Sequence, residues 1–130
     1  MIDAYSVHLG RSEIVMCDIK TTDDPSPHAF AKTVMDRDYD MQAAWYLELV
    51  SQTVSTDIDD AFFYWIAVQN KAPFSCVVYD ASEFFEIGLR KMELAISKFK
   101  ECRESNKWPH PHQGINTLKA PQWYVEKHLY

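Results

Sequence analysis

Asp18 and Lys20 stand two residues apart at the end of the apolar run Ile14-Val15-Met16-Cys17. On a strand, residues two apart project from the same face, so a carboxylate and an ammonium lie side by side there. That pairing suits metal-dependent phosphodiester hydrolysis. The carboxylate offers oxygen to a hard cation, and the ammonium can hold or help activate the attacking water. Asp3, on the preceding candidate strand, adds a second acid, so Asp3, Asp18 and the Ile19 carbonyl form a candidate ligand set for one or two Mg²⁺ ions. Gln42 and Tyr46 are four residues apart, one turn of a candidate helix, and share a face. Gln42 could hydrogen-bond the water, Lys20 or a phosphate, and Tyr46 could contact the substrate backbone. A Lys20→Met change keeps the stem but removes charge and donors, so it should abolish turnover and spare the fold.

These residues need elements to position them. Ile2 to Leu9 and Glu13 to Lys20 read as two short strands joined by a tight turn around Gly10-Arg11-Ser12. Thr21 to Pro27 is a loop, after which Ser26 caps a short helix with Pro27 at its first position. The periodicity predicts a helix from Tyr39 to about Val54, capped by Asp40, with Met41, Ala44, Trp45, Leu49 and Val50 near helical spacing. Asp57 to Asp60 is an acidic connector. Ala61 to Val68 is apolar, aromatic and short, which predicts a buried central strand. Phe74 to Tyr79 follows as another strand. A long helix, capped by Asp80 or Ser82, runs to about Glu104 with the stripe Phe85, Leu89, Met92, Ile96 and Phe99. The order is β-β-α-α-β-β-α with a proline-bearing tail and a possible short helix after Pro121.

Composition narrows the class. A chain of 130 residues, 47% hydrophobic and 14% aromatic, is most simply one domain with a real core. Its net charge of −6 argues against coating nucleic acid through bulk charge. Three scattered cysteines (Cys17, Cys76, Cys102) form no CxxC pattern, which suits a reducing cytoplasm. No window approaches the ~20 apolar residues of a membrane span, and nothing at the N-terminus reads as a signal peptide.

Asp3, the D-I-K of Asp18 to Lys20 with its following T-T, and Q-A-A-W-Y from Gln42 to Tyr46 together resemble the PD-(D/E)xK nuclease superfamily. The similarity is greatest to the C-terminal nuclease domain of RecE-like exonucleases, the exodeoxyribonuclease VIII type found in phages and prophages. D-I-K-T-T-D-D-P-S-P-H-A-F-A-K, Y-D-M-Q-A-A-W-Y-L, and W-P followed by L-K-A-P-Q-W carry it along nearly the whole chain. The resemblance implies an α/β restriction-endonuclease-like core, a mixed central sheet flanked by helices. It also implies Mg²⁺-dependent (or Mn²⁺-dependent) 5′→3′ degradation of linear duplex DNA ends, exposing single strands for recombination by annealing. In that pattern Asp3 and Asp18 match the metal-binding acids, Lys20 the catalytic lysine, and Gln42 and Tyr46 the helical accessory motif. An annealing recombinase as partner and a homo-oligomeric ring follow from the same resemblance. Family members of this type carry a helical region before the first acid, with a His or Glu that completes the metal site. This sequence starts two residues before Asp3, so it reads as the catalytic C-terminal portion, residues 1–130, without that region: a fragment, a minimal or decayed version, or a chain whose missing wall a partner supplies.

Other groups have plainer readings. His110 and His112 could bind a metal but read as surface residues of a Pro-rich loop. Asp23-Asp24 and Asp57, Asp59 and Asp60 read as solvated acids. Arg90, Lys91, Lys98, Lys100 and Arg103 could track phosphates, against the simpler reading of a solvated helix face. Trp123 and Tyr124 could stack on DNA but read as anchors of the tail, and Cys17 reads as packing. Three rivals remain: a non-catalytic nuclease-fold module that binds DNA or a recombination partner, a related endonuclease or iron–sulfur end-processing nuclease, and a scaffold using Ala61 to Val68 as interface. Scattered cysteines argue against an iron–sulfur cluster.

Overall fold

A computed structural model of the chain describes residues 3–8, 12–54, 60–110 and 112–129. The ends of the predicted first strand (Ile2, Leu9), the Gly10-Arg11 part of the turn, and Asp57 and Asp59 of the acidic connector lie outside those residues. The chain divides into two compact units, Met1–Lys98 and Phe99–Tyr130.

The first unit holds a four-stranded mixed sheet in the order β1-β2-β3-β4. Strands β1 (Ala4–His8) and β2 (Glu13–Thr22) pair antiparallel, β2 and β3 (Asp60–Gln69) parallel, and β3 and β4 (Cys76–Asp80) antiparallel. A parallel pair needs a crossover, and helices α1 (Pro27–Asp36) and α2 (Tyr39–Thr53) supply it between β2 and β3. Along β2, Ile14, Met16 and Asp18 are buried while the residues between them are not. The same alternation on β3 buries Phe63, Trp65 and Ala67. These residues meet Phe30 and Val34 of α1, and Ala43, Leu47 and Val50 of α2, in one core. Trp65 takes edge-on contacts from Phe30, Phe63 and Phe84 at 6.3, 6.1 and 5.7 Å. Asp18 and Lys20 thus continue the core face of β2 to its C-terminal end.

The loop after β2 is stitched in place. Thr22 Oγ1 donates to the Asp24 carbonyl (3.1 Å), Asp24 Oδ1 accepts from the Ser26 N–H (2.9 Å), and the Tyr79 hydroxyl donates to the Pro25 carbonyl (2.5 Å). Tyr79 also stacks on Phe30 at 5.1 Å. Ser26 precedes α1 with Pro27 opening it, as expected, but its side chain makes no capping hydrogen bond.

Two expectations for α2 change. Asp38, not Asp40, is the residue before the helix, held at φ 52° in the left-handed region that Asp tolerates better than most. Asp40 is instead buried, 1% exposed, and paired with Lys91 of helix α3 (Ser82–Ser105) at 2.9 Å. The buried face of α2 is Ala43, Ala44, Leu47 and Val50, whereas Trp45 and Leu49 are exposed. Apolar residues surround most of this helix, so periodicity alone does not select the inward face.

Helix α3 reaches α2 through Gly88. A Cβ there would sit 2.1 Å from the Asp40 carbonyl oxygen, so only glycine permits this backbone approach. Lys91 adds ion pairs to Asp38 at 2.8 Å and to Asp40. Of the predicted α3 stripe, Met92 is buried, Phe85, Leu89 and Ile96 are half-buried, and Phe99 is exposed. The second unit carries the end of α3 and helix α4 (Gln122–Leu129), which buries none of its residues. Trp123 and Tyr124, expected to anchor the tail, stay exposed, their rings meeting edge-on at 5.6 Å.

Candidate active site

The site is built where β2 ends, beside the start of β1 and beneath α2. Asp3 lies one residue before the β1–β2 register that begins Ala4↔Cys17, which sets it beside Asp18. Its Oδ2 accepts the Ile19 N–H at 2.6 Å. That hydrogen bond, and then contact with Asp18, hold the exposed Asp3 carboxyl below the usual carboxylate range.

Asp18 is 2% exposed. Burial pushes its carboxyl above the usual range; Lys20 opposes that shift and Asp3 adds to it. Lys20 Nζ forms an ion pair with Asp18 Oδ2, and no hydrogen bond reaches that buried oxygen among the described residues. An acceptor oxygen buried without a hydrogen bond is costly and calls for a reason.

The Lys20 ammonium is fixed from several sides. It donates to Gln42 Oε1 at 2.7 Å and sits 4.2 Å from the centre of the Tyr39 ring, within cation–π range. Gln42 Nε2 in turn donates to the Tyr46 hydroxyl at 3.2 Å. That bond sets which end of the amide faces Lys20. The structure therefore joins Asp3, Asp18, Lys20, Gln42 and Tyr46 in one continuous polar chain. Tyr39 is the addition that sequence reasoning missed. Its position three residues before Gln42 on the same helix is the signal that could have found it.

Two adjoining carboxylates, one with a buried oxygen lacking a hydrogen bond, and the nearby Ile19 carbonyl make a set of hard oxygen donors. Such a set fits a small divalent cation, since Mg²⁺ is commonly bound through one or two carboxylates and keeps several waters. Among the described residues, no group of three or more His, Cys, Asp or Glu gathers that could hold an ion.

The remaining candidates are accounted for locally. Asp23 pairs with Lys71 at 3.1 Å, and Asp24 accepts from Ser26 within its own loop. His110 Nδ1 accepts the His112 N–H at 3.1 Å, so the two histidines form a local turn contact. Cys17 is half-buried and projects from the opposite face of β2 to Asp18.

The profile of a family described as a PDDEXK-like domain of unknown function (DUF3799) matches residues 2–121. The chain belongs to that family. In this PDDEXK-like domain the four-stranded mixed sheet and its packed helices form the α/β fold of the nuclease superfamily. A crystal structure from Eubacterium rectale, of a protein described as a "putative exonuclease", matches 88% of this chain with a TM-score of 0.53 at 13% identity. At that identity the likeness is one of fold. The PDDEXK-like chain spans about half, 47%, of that protein's length. No curated protein matches it. Among the described residues, no helix is long and apolar enough to cross a membrane.

Proposed function

We propose that this PDDEXK-like chain is a metal-dependent DNA exonuclease of the RecE-like type, degrading linear duplex DNA 5′→3′ in the cytoplasm. Its single-stranded product would serve recombination by annealing. The observation that carries the reading is the buried Asp18 oxygen without a hydrogen bond, set between Asp3 and a Lys20 ammonium locked by Gln42 and Tyr39.

In this reading Asp3, Asp18 and the Ile19 carbonyl hold Mg²⁺, or Mn²⁺ in its place. The bound cation supplies Lewis acidity toward the phosphate and lowers the pKa of water. Lys20 holds the attacking water by hydrogen bonding from its ammonium, and its charge offsets that developing on the phosphate. Gln42 fixes the ammonium along one direction. Tyr46 fixes the Gln42 amide, so the donor does not reorient during the reaction. The ring of Tyr39 covers the ammonium and restricts its access to bulk water. Assembly as a homo-oligomer and handover to an annealing recombinase belong to the same proposal.

Digestion of linear duplex DNA, labelled at the 5′ or the 3′ end, tests it. Release of the 5′ label with Mg²⁺, absent in EDTA and in Lys20→Met, is the expected result. No release from a folded, monodisperse sample would remove the nuclease reading in favour of a non-catalytic DNA-binding module. Faster release of the 3′ label would reverse the polarity.

A further inference from the structure

Two adjacent ridges run side by side at the start of α2: Gln42 and Tyr46, preceded by the cap residue Asp38, and next to them Met41 and Trp45, preceded by Arg37 of the turn between α1 and α2. Together they line a groove of about 380 Å³, within the ~300–1,000 Å³ typical of ligand clefts. One ridge belongs to the polar chain that ends on Lys20. The other is assigned no role above.

Three observations give the second ridge its character. Trp45 is 40% exposed, although a tryptophan in the first unit has a core to join, as Trp65 does. Met41, one turn before it, is half-buried and extends the apolar floor. Arg37, also lining the groove, is exposed and in no ion pair among the described residues, while the groove's acid, Asp38, is already held by Lys91 at 2.8 Å. The groove thus joins an aromatic face to a cation with no anion of its own, one hydrogen bond from Lys20 through Gln42.

We infer that this groove binds one unstacked nucleotide of a DNA strand, its base on Trp45 and its phosphate on Arg37. A base inside a duplex has both faces covered by its neighbours. Only a base freed at a frayed or single-stranded end offers a face to Trp45, so the groove selects strand ends or single strands over duplex interiors. The inference rests on the nuclease reading for its biological sense, but its test reads binding alone.

Fluorescence polarisation of a labelled single-stranded oligonucleotide, in EDTA, follows binding without hydrolysis. A series of oligonucleotides, each with one abasic position, locates the stacked base. Stacking of one base on an aromatic ring is worth roughly 5- to 150-fold in affinity. The wild-type protein should lose about that factor at one abasic position. Trp45→Ala should bind the intact strand more weakly by a similar factor and become indifferent to the abasic position, while Trp45→Phe keeps most of the dependence. Arg37→Ala should lower the slope of log K against log salt by about 0.7. Equal losses at every abasic position, or none, in the wild-type protein would overturn the inference without recourse to any variant. Hydrolysis without a position effect would remove the groove and leave the nuclease. A position effect without hydrolysis would do the reverse.

Discussion

Asp18 is where the site and the stability of the fold oppose each other. Its carboxyl is raised by burial, and the neighbouring Lys20 offsets only part of that. An acid whose folded pKa lies above its unfolded value, about 3.9, contributes stability that is fully present below the unfolded value. That contribution is lost as pH rises through the raised folded value. At pH 7 the ionised carboxylate is therefore a burden on the metal-free fold. Asp18→Asn removes the charge, so its melting temperature in EDTA should exceed that of wild type at pH 7, with the gap closing toward pH 4. Added Mg²⁺ should raise the wild-type melting temperature and leave Asp18→Asn unmoved, because a ligand stabilises only the state that binds it. A less stable Asp18→Asn at pH 7 would mean that the Lys20 ion pair outweighs burial. The residues of this site were legible because each spacing is a period of an element: two on β2, four on α2. Tyr39 was not, because the stacking of an ammonium on a ring depends on how β2 and α2 pack.

Helix α2 presents the polar chain, and α3 fixes where the start of α2 lies. Gly88 and Lys91 do this together, one by permitting backbone contact with Asp40 and the other by ion-pairing with both Asp38 and Asp40. Elsewhere in a helix Gly→Ala gains about 1 kcal/mol. Here the new Cβ would overlap the Asp40 carbonyl, and overpacking of about 1–3 kcal/mol should turn that gain into a net loss. Lys91→Met leaves the buried Asp40 carboxylate without its cation and should cost about 1–3 kcal/mol. Arg90→Met breaks only an exposed pair with Glu93 and should stay within about 0.5 kcal/mol. Urea denaturation at pH 7 ranks the three; a Lys91→Met as mild as Arg90→Met would make the tie cosmetic. Strands and helices were readable from composition and period, including β3 from its aromatic run. The inward face of α2 was not, because Met41, Trp45 and Leu49 compete with Ala44, Leu47 and Val50 for it. Neither was the Gly88 contact, which joins residues 48 apart in sequence.

At the scale of the whole molecule, charge decides how such a chain could hold DNA. It carries 13 Lys and Arg against 19 Asp and Glu, and part of the positive charge is already engaged. Lys20, Lys32, Lys71, Arg90 and Lys91 each pair with a carboxylate. Two of these, Arg90 and Lys91, belong to the α3 face that could have tracked phosphates, which favours the solvated reading of that face. The long-range field repels a polyanion, so affinity must come from a few contacts near the site and from neutralising Asp3 and Asp18. Each phosphate contact to duplex DNA contributes about −0.9 to the slope of log K against log salt. Two or three contacts give about −2 to −3, far from the steep slopes of proteins that follow the backbone along a basic surface. Binding of a duplex end by Lys20→Met, the variant expected to lack turnover under the proposed function, should show that shallow slope in EDTA, and Mg²⁺ at fixed ionic strength should tighten it. A slope steeper than about −6 would require an extended basic surface, and α3 with its Lys98, Lys100 and Arg103 would then be where to seek it. The same measurement on Arg37→Ala separates the groove from the rest, because loss of one contact among three is a large fraction of a shallow slope and a small fraction of a steep one.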